Sequence, residues 1–188
     1  MLKPVEEFGK HLVISGFRKT HVKNVEAFLK TIGSEEPSAV EIQFLNAHLV
    51  ATWQHLYFAA LNALTAFKNK ENVSKSLAME TMRYASAQRQ IRKAIELLGI
   101  KPQLSDIAIL IIGENPEAVM SAFSQISRIF KTKPDETVLE LTSQKMRQIK
   151  KAFEFSDIEL EVVANEKDVK NALVELIIER MALLTTQR

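Results

Sequence analysis

Residues 107–112 read IAILII, six apolar side chains in a row between Asp106 and Gly113. A half-buried strand alternates apolar with polar side chains, whereas a strand buried on both faces is continuously apolar. The β-branched isoleucines favour a strand over a helix. The stretch therefore predicts a strand covered on both faces. No apolar run in the chain is longer than these six residues, which fall far short of the ~20 that a membrane-spanning helix needs.

Three shorter segments predict the other strands of a small sheet. Residues 12–14 are apolar between polar ends, and residues 40–44 alternate apolar and polar side chains, as in a half-buried strand. A further strand is predicted near residues 158–163. Together with the strand at 107–112, these segments give a sheet of four strands.

Between the strands, apolar residues recur with a helical period. The predicted helices cover residues 22–32, 47–67, 73–98, 115–130, 143–153 and 167–184. The helix over 73–98 is the clearest, because its seam residues recur at spacings of three and four until Gly99 ends it. We expect an α+β fold: a single helix-rich domain over residues 1–188, with a small mixed sheet of about four strands covered by helices.

The composition agrees with one domain of ordinary size. The 188 residues are 46% hydrophobic and 26% charged, and they include no cysteine. This composition excludes disulfide scaffolds, thiolate nucleophiles and cysteine-ligated zinc. The residues after Met1 include Lys3 and Glu6 and form no apolar segment of the kind found in export signals. We therefore expect a cytoplasmic protein.

The formal net charge of +2 hides a local asymmetry. Residues 1–66 are neutral overall, residues 67–102 carry +5 and residues 103–188 carry −3. The basic middle segment is a candidate surface for an anionic partner. A basic helix face that is merely solvated gives the same pattern and is the commoner case, so both interpretations stand at this point.

The residue patterns that common enzyme classes need are missing. The five glycines stand apart in the sequence, so no glycine-rich loop is present to bind phosphate. The aspartates fall in predicted loops or at the ends of predicted elements, and zincin, nucleophile-elbow and kinase motifs are absent. We expect a non-catalytic protein with no cofactor, no metal and no small-molecule substrate.

Two histidines are the best candidates for catalysis. His48 and His55 lie seven residues apart on the helix predicted over 47–67, on the same side but two turns from each other. At a distance of about 10 Å they cannot share one metal ion. They are either packed within the fold or part of a small cytoplasmic enzyme of unknown type, with Tyr57 and Glu80 as the other loosely suitable groups.

Two stretches of the chain resemble a known family. Residues 42–60 contain IQFLNA, VATWQHL and an alanine pair, and residues 84–95 read YASAQRQIRKAI. These stretches are similar to the two signature stretches of the small kinase-binding subunit of the KEOPS complex, the second in its archaeal form. The order of predicted elements over residues 40–184 also fits this family.

The resemblance implies a non-catalytic, regulatory subunit. Such a subunit binds the N-lobe of the small atypical kinase/ATPase of the complex and helps to deliver tRNA for threonylcarbamoylation of adenosine 37. The catalytic residues for that reaction would lie on other subunits. The implied partners are the kinase and the acceptor end of tRNA, with no membrane. A stand-alone RNA-binding protein is an alternative, although the chain has few aromatic residues outside core-type positions for stacking on bases.

The resemblance gives the basic segment a candidate role. On the helix predicted over 73–98, several basic side chains project away from the apolar seam, and others widen that face. A basic, polar stripe of this kind can bind phosphates. The predicted tRNA-binding residues are Lys75, Arg83, Arg89, Arg92 and Lys93.

The final predicted helix, over 167–184, carries more apolar surface than one buried face requires. One stripe of leucine and isoleucine suffices to dock the helix on its own domain. A second stripe, rich in isoleucine and methionine, projects roughly 80–140° away from the first. It either completes a wide buried face or docks a partner. The predicted kinase-binding residues are Val174, Ile178, Met181 and Leu184.

Overall fold

Four strands form one sheet in the computed structural model, which describes residues 2–35, 39–164 and 168–184. The strands are β1 (Leu2–Val5), β2 (Lys10–Phe17), β3 (Val40–Asn46) and β4 (Ile107–Gly113). Their order across the sheet is β1-β2-β4-β3, and all three pairings are antiparallel. The predicted α+β class and the number of strands are confirmed, while the sheet is antiparallel throughout instead of mixed.

The strand at 107–112 lies in the middle of the sheet and is buried along its whole length. Both neighbours pair with it in full register, so that Ile111 lies opposite Val13 on one side and opposite Ile42 on the other. Alternate side chains of β4 enter two separate apolar clusters, with Leu110 in one and Ile109 in the other. The prediction of a strand covered on both faces is confirmed.

Eight helices cover the two faces of the sheet in the described residues. They are α1 (Val25–Glu35), α2 (Trp53–Lys68), α3 (Leu77–Ala85), α4 (Ile91–Leu98), α5 (Pro116–Phe130), α6 (Ser143–Ala152), α7 (Asp157–Ala164) and α8 (Val169–Leu183). Apolar residues of α1 and α5 cover one face, and residues from the other six helices pack on the opposite face. The helix predicted over 22–32 begins and ends three residues later, at Val25 and Glu35, and the predicted start of α8 at Lys167 lies outside the described residues.

The segment predicted as a strand over 158–163 is helix α7, and the fourth strand is β1 instead. A capping box starts this helix: the Ser156 backbone N–H donates to Glu159 Oε2 at 2.7 Å, and the Glu159 N–H donates to Ser156 Oγ at 3.1 Å. The alternation of apolar residues in this segment suits a strand. However, the residues that become buried are Leu160 and Ala164, which have helical spacing.

The helix predicted over 73–98 is interrupted, and α3 and α4 are separate helices. α3 ends in a Schellman motif, in which the Gln88 N–H donates to Arg83 O at 3.3 Å and the Ala87 N–H donates to Tyr84 O at 2.8 Å. Ala87 occupies the left-handed position of this motif with φ of 50°. Glycine usually fills that position, and an alanine there does not mark the end of a helix in the sequence. The helical spacing of the apolar residues also continues through the break, so the sequence did not predict it.

Gly16 on β2 lets the loop after α5 approach the sheet closely. The Asp135 N–H donates to Gly16 O at 2.8 Å, and a Cβ placed on Gly16 would lie 2.8 Å from Val138 Cβ and 3.1 Å from Asp135 O. Real Cβ atoms do not make contacts that short, so the loop can pack here only against glycine.

We expect Gly16→Ala to destabilise the protein by about 1–3 kcal/mol, because the segment around Val138 must move away from β2. Urea unfolding measures this free energy. Gly9→Ala is the comparison, since nothing lies within 4 Å of its added Cβ and only the left-handed φ of 58° opposes it. That substitution should cost about 1–2 kcal/mol from backbone strain alone, with native packing around Val138. Wild-type stability of Gly16→Ala would show that the loop does not pack as described.

Candidate functional site

His55 joins the start of α2 to the end of α3. Its ring is fully buried, Nδ1 accepts from the Ala51 N–H at 3.1 Å, and Nε2 lies 2.7 Å from Ala85 O. With Nδ1 accepting, the proton is assigned to Nε2, which donates to the carbonyl. Burial lowers the pKa of His55 to about 4, although the bond to Ala85 opposes this shift. His55 is therefore a neutral ring with both nitrogens in use.

His48 lies on a separate element from His55. It belongs to a short 3-10 turn at 47–49, and residues 50–52 interrupt the helix that was predicted over 47–67. The prediction that both histidines share one helix is therefore wrong. No group of three or more potential metal-ligating side chains occurs within the described ranges. The geometry of His55 supports a role in packing over one in catalysis.

Arg83 does not lie on the surface, unlike the other predicted tRNA-binding residues. It is 5% exposed, and its Nε and Nη2 donate to Glu80 Oε1 at 2.9 and 2.7 Å. The other carboxylate oxygen of Glu80 accepts the backbone N–H groups of Val73 and Ser74 at 3.2 and 2.7 Å. The guanidinium carbon also lies 4.4 Å from the centre of the Tyr84 ring. Arg83 therefore holds the start of α3 together and is not accessible to a phosphate.

The remaining basic residues of this set are exposed, but they do not share one helix face. Lys75 precedes α3, whereas Arg89 lies in the turn between α3 and α4 and Lys93 lies in the first turn of α4. Helix α3, roughly 14 Å long, separates Lys75 from the others. Arg92 Nε donates to Glu96 Oε1 at 3.0 Å on the surface. The structure thus groups Arg89, Arg92 and Lys93 at the N-terminal end of α4.

The predicted kinase-binding residues of α8 divide into a buried and a half-buried pair. Met181 is fully buried and Leu184 is 9% exposed, so both belong to the core. Val174 and Ile178 are half-buried and pack against the same core. Since α7, predicted as a strand, is a helix that packs on α8, most of the second apolar stripe completes a buried face. Only Val174 and Ile178 retain surface for a partner.

A groove between α2 and α8 contains a partly exposed aromatic side chain, that of Trp53. The groove has a volume of about 500 Å³, and Trp53, Leu139, Leu141 and Val174 contribute its apolar lining. Trp53 is 38% exposed, because α2 begins at this residue. Lys3 Nζ lies 4.0 Å from the centre of its ring.

The rest of the lining of this groove is polar. It consists of Thr52, Gln54, Glu140, Thr142, Asp168, Lys170 and Asn171. Protein–protein interfaces combine apolar and aromatic residues with polar ones in this way. The groove and the half-buried Val174 therefore form the best candidate docking surface for a protein.

Helix α7 carries the most exposed large apolar side chains of the described residues. Ile158 is 73% exposed and Val162 is 72% exposed, one helical turn apart. Because the segment was predicted as a strand, the sequence analysis did not detect this pair.

Comparison with known proteins agrees with a partner-binding role. A model of the kinase binding protein family CGI-121 matches residues 19–185. The chain belongs to this family. It is also similar to the regulatory protein Cgi121 of Methanocaldococcus jannaschii, with 29% identity over 177 residues that cover 94% of this chain and 99% of the relative. The predicted family is confirmed.

Membership of this family supports a regulatory subunit with a kinase as partner. The similarity extends over almost the whole chain, so the Trp53 groove, the α3–α4 turn and the buried His55 all lie within the matched range. None of the described helices combines the length and apolar character needed to cross a membrane.

We expect the stability of the folded protein to fall as the pH drops from about 6.5 to about 4, because of His55. The unfolded chain binds a proton on this ring near pH 6.5, whereas the folded chain resists protonation down to about pH 4. The contribution of His55 is fully present above pH 6.5. It is lost progressively below that pH and amounts to about 3 kcal/mol over the whole interval.

Urea unfolding of wild type and His55→Gln at pH 7 and pH 4.5 measures this effect. His55→Gln should be less stable at pH 7 and should lose less stability on acidification than wild type does. His48→Gln is the matched control and should keep the wild-type pH dependence. Equal losses in wild type and His55→Gln would contradict the assignment.

Proposed function

We propose that this protein is the non-catalytic regulatory subunit of a KEOPS complex. In this proposal it binds the small atypical kinase/ATPase of the complex in the cytoplasm and recruits tRNA for formation of threonylcarbamoyladenosine at position 37. The match to the kinase-binding family over residues 19–185 carries the proposal. The two sequence stretches at 42–60 and 84–95 support the link to this complex.

The side chains of the described residues agree with a subunit that leaves catalysis to its partners. Both ring nitrogens of His55 are hydrogen-bonded to backbone groups, and Glu80 is bound by Arg83 and two backbone N–H groups. Two of the groups that the enzyme alternative needs therefore have structural partners.

The kinase docks, in this proposal, on the groove between α2 and α8. Trp53 gives the groove a large, partly exposed aromatic side chain, the residue type that most often dominates the free energy of an interface. Val174 lines the same groove, and Ile178 lies one turn further along α8. Met181 and Leu184 contribute indirectly, because they anchor α8 in the core.

We expect Trp53→Ala to raise the Kd for the kinase roughly 30-fold, which corresponds to about 2 kcal/mol for loss of a central aromatic residue. Calorimetry with the purified kinase of the same organism measures this value, and circular dichroism checks the fold. The double variant Ile158→Ala, Val162→Ala removes exposed apolar surface on α7 and should bind as wild type does. If only the α7 variant loses affinity for the kinase, the kinase binds α7 and not the groove.

The tRNA surface of the proposal lies at the N-terminal end of α4. Arg92 and Lys93 are in the first turn of this helix, where the helix dipole is positive and acidic residues are favoured. Positive side chains at this position destabilise the helix, because they are repelled by the positive end of its dipole. Together with Arg89 in the preceding turn they create a local excess of positive charge, which RNA phosphates would neutralise.

We expect the double variant Arg89→Glu, Lys93→Glu to bind tRNA much more weakly than wild type and still to bind the kinase. Each lost phosphate contact should make the slope of log K against log salt concentration shallower by about 0.7–0.9. Lys30→Glu, Lys151→Glu makes the same number of charge reversals elsewhere on the exposed surface and is the control. Equal affinities and slopes in wild type and the α4 variant would exclude this surface.

A further inference from the structure

Two loops at one end of the sheet are hydrogen-bonded into one unit. The first covers residues 19–24, between Arg18 after β2 and the start of α1, and the second covers residues 99–105, between α4 and Asp106 before β4. The Thr20 N–H donates to Ser105 O at 2.9 Å, and the Thr20 hydroxyl donates to the same oxygen at 3.1 Å. The Gln103 N–H donates to Val22 O at 3.1 Å. These bonds fix the two loops relative to each other.

The joined loops expose a cluster of basic side chains. Residues 19–24 and 99–105 include Lys19, His21, Lys23 and Lys101, all exposed, and contain neither aspartate nor glutamate. In the described parts of the chain, none of the three lysines forms an ion pair within 4 Å.

Arg18, next to this cluster, is already neutralised. It donates to Asp135 Oδ2 at 2.7 Å and to Asp106 Oδ2 at 3.4 Å. The carboxylates nearest to the joined loops along the chain are Asp106, which is bound by Arg18, and the exposed Glu26 of α1. The joined loops carry three positive charges of their own, and the neighbouring Arg18, Asp106, Asp135 and Glu26 add −2, so that this end of the protein has a net charge of about +1 with its positive charge concentrated on the three lysines.

The backbone of these loops is held in an uncommon conformation. Lys19, His21 and Gln103 have φ of 57°, 43° and 65°, in the left-handed region that favours glycine. Each such residue costs about 1–2 kcal/mol, and persists because its surroundings hold it in place. The basic side chains therefore project from a fixed scaffold, which lowers the entropy lost when they bind a partner.

We propose that the joined loops 19–24 and 99–105 form a second phosphate-binding surface, which extends the contact with RNA beyond Arg89 and Lys93. This inference rests on the proposed tRNA-binding function. The helical segment from Lys93 to Leu98 and the three residues to Lys101 place the Cα atoms of these two lysines at most about 18 Å apart. That distance corresponds to about five phosphates at the spacing of a nucleic-acid strand.

RNA fits this surface better than an acidic protein does. The centre of a protein interface is apolar and rich in aromatic residues. The joined loops contain no aromatic residue except His21, Val22 is buried, and Ile100 and Leu104 are half-buried against the core. Contact with phosphates requires only the charges.

The test is the triple variant Lys19→Gln, Lys23→Gln, Lys101→Gln in the full-length protein. An unmodified tRNA transcript is the probe, and binding is measured at several potassium chloride concentrations. We expect affinity at least tenfold below wild type at 0.1 M salt, and a salt slope shallower by about 2–3 for three lost contacts. Glutamine removes the charge but keeps a polar side chain that is only one atom shorter than lysine, so the loops should retain their fold.

Lys30→Gln, Lys133→Gln, Lys151→Gln removes the same charge from other exposed positions and is the control. If both triple variants lose the same tRNA affinity, the effect comes from overall charge and not from the loops. If the loop variant binds tRNA as wild type does, its lysines make no contact with RNA. Either result overturns the inference. So does a loop variant that loses the kinase and keeps tRNA, since the partner would then be an acidic protein.

The failures of the two proposals are distinguishable. If wild type binds tRNA and Arg89→Glu, Lys93→Glu abolishes that binding while the loop variant keeps it, only the inference about the loops is wrong. If wild type itself does not bind tRNA, the recruiting function fails and the inference fails with it.

Discussion

Burial of β4 on both faces is the constraint on which the rest of the structure depends. This strand pairs with both β2 and β3, and its alternate side chains supply the centres of two apolar clusters. Helices must therefore cover both faces, and the chain must cross between them at the ends of the strand. The loop that enters β4 is also fixed by this arrangement, because Ser105 bonds to Thr20 just before the strand begins. The basic surface of the joined loops is thus connected directly to β4, which is buried along its whole length.

His55 has a comparable role for the proposed binding surfaces. Trp53, two residues earlier, lines the groove proposed for the kinase, while Ala85, whose carbonyl accepts the hydrogen bond from His55, ends α3 just before the turn that carries Arg89. One buried, neutral ring therefore connects the start of α2 with the α3–α4 turn. Its hydrogen bonds satisfy a backbone N–H and a backbone carbonyl at two helix ends, which would otherwise be buried without partners.

The sequence was sufficient to predict the elements whose pattern is decided locally. The strand at 107–112, the strand at 40–44 and the helix beginning at Asn115 all follow from apolar periodicity and capping residues. Features that depend on distant contacts were not predictable. Ala87 has no side-chain signal for its left-handed turn, and the burial of Met181 depends on α7. The capping box at Ser156 and Glu159 was readable but conflicted with an alternating apolar pattern. Arg83 and Arg89 look alike in sequence, and only the three-residue spacing from Glu80 hints that Arg83 is paired.

The late position of β4 in the chain has a consequence for folding during synthesis. β2 ends at Phe17 and β3 at Asn46, but the strand that joins them begins only at Ile107. At about 5–20 residues per second, the ribosome needs roughly 4–18 s to make the 89 residues between β2 and β4. Until then, β2 and β3 each lack their common neighbour, and their unpaired edges and apolar faces are available to other chains. The sheet closes by long-range pairing, which is intrinsically slow, so the nascent N-terminal half exposes apolar surface and strand edges throughout this interval.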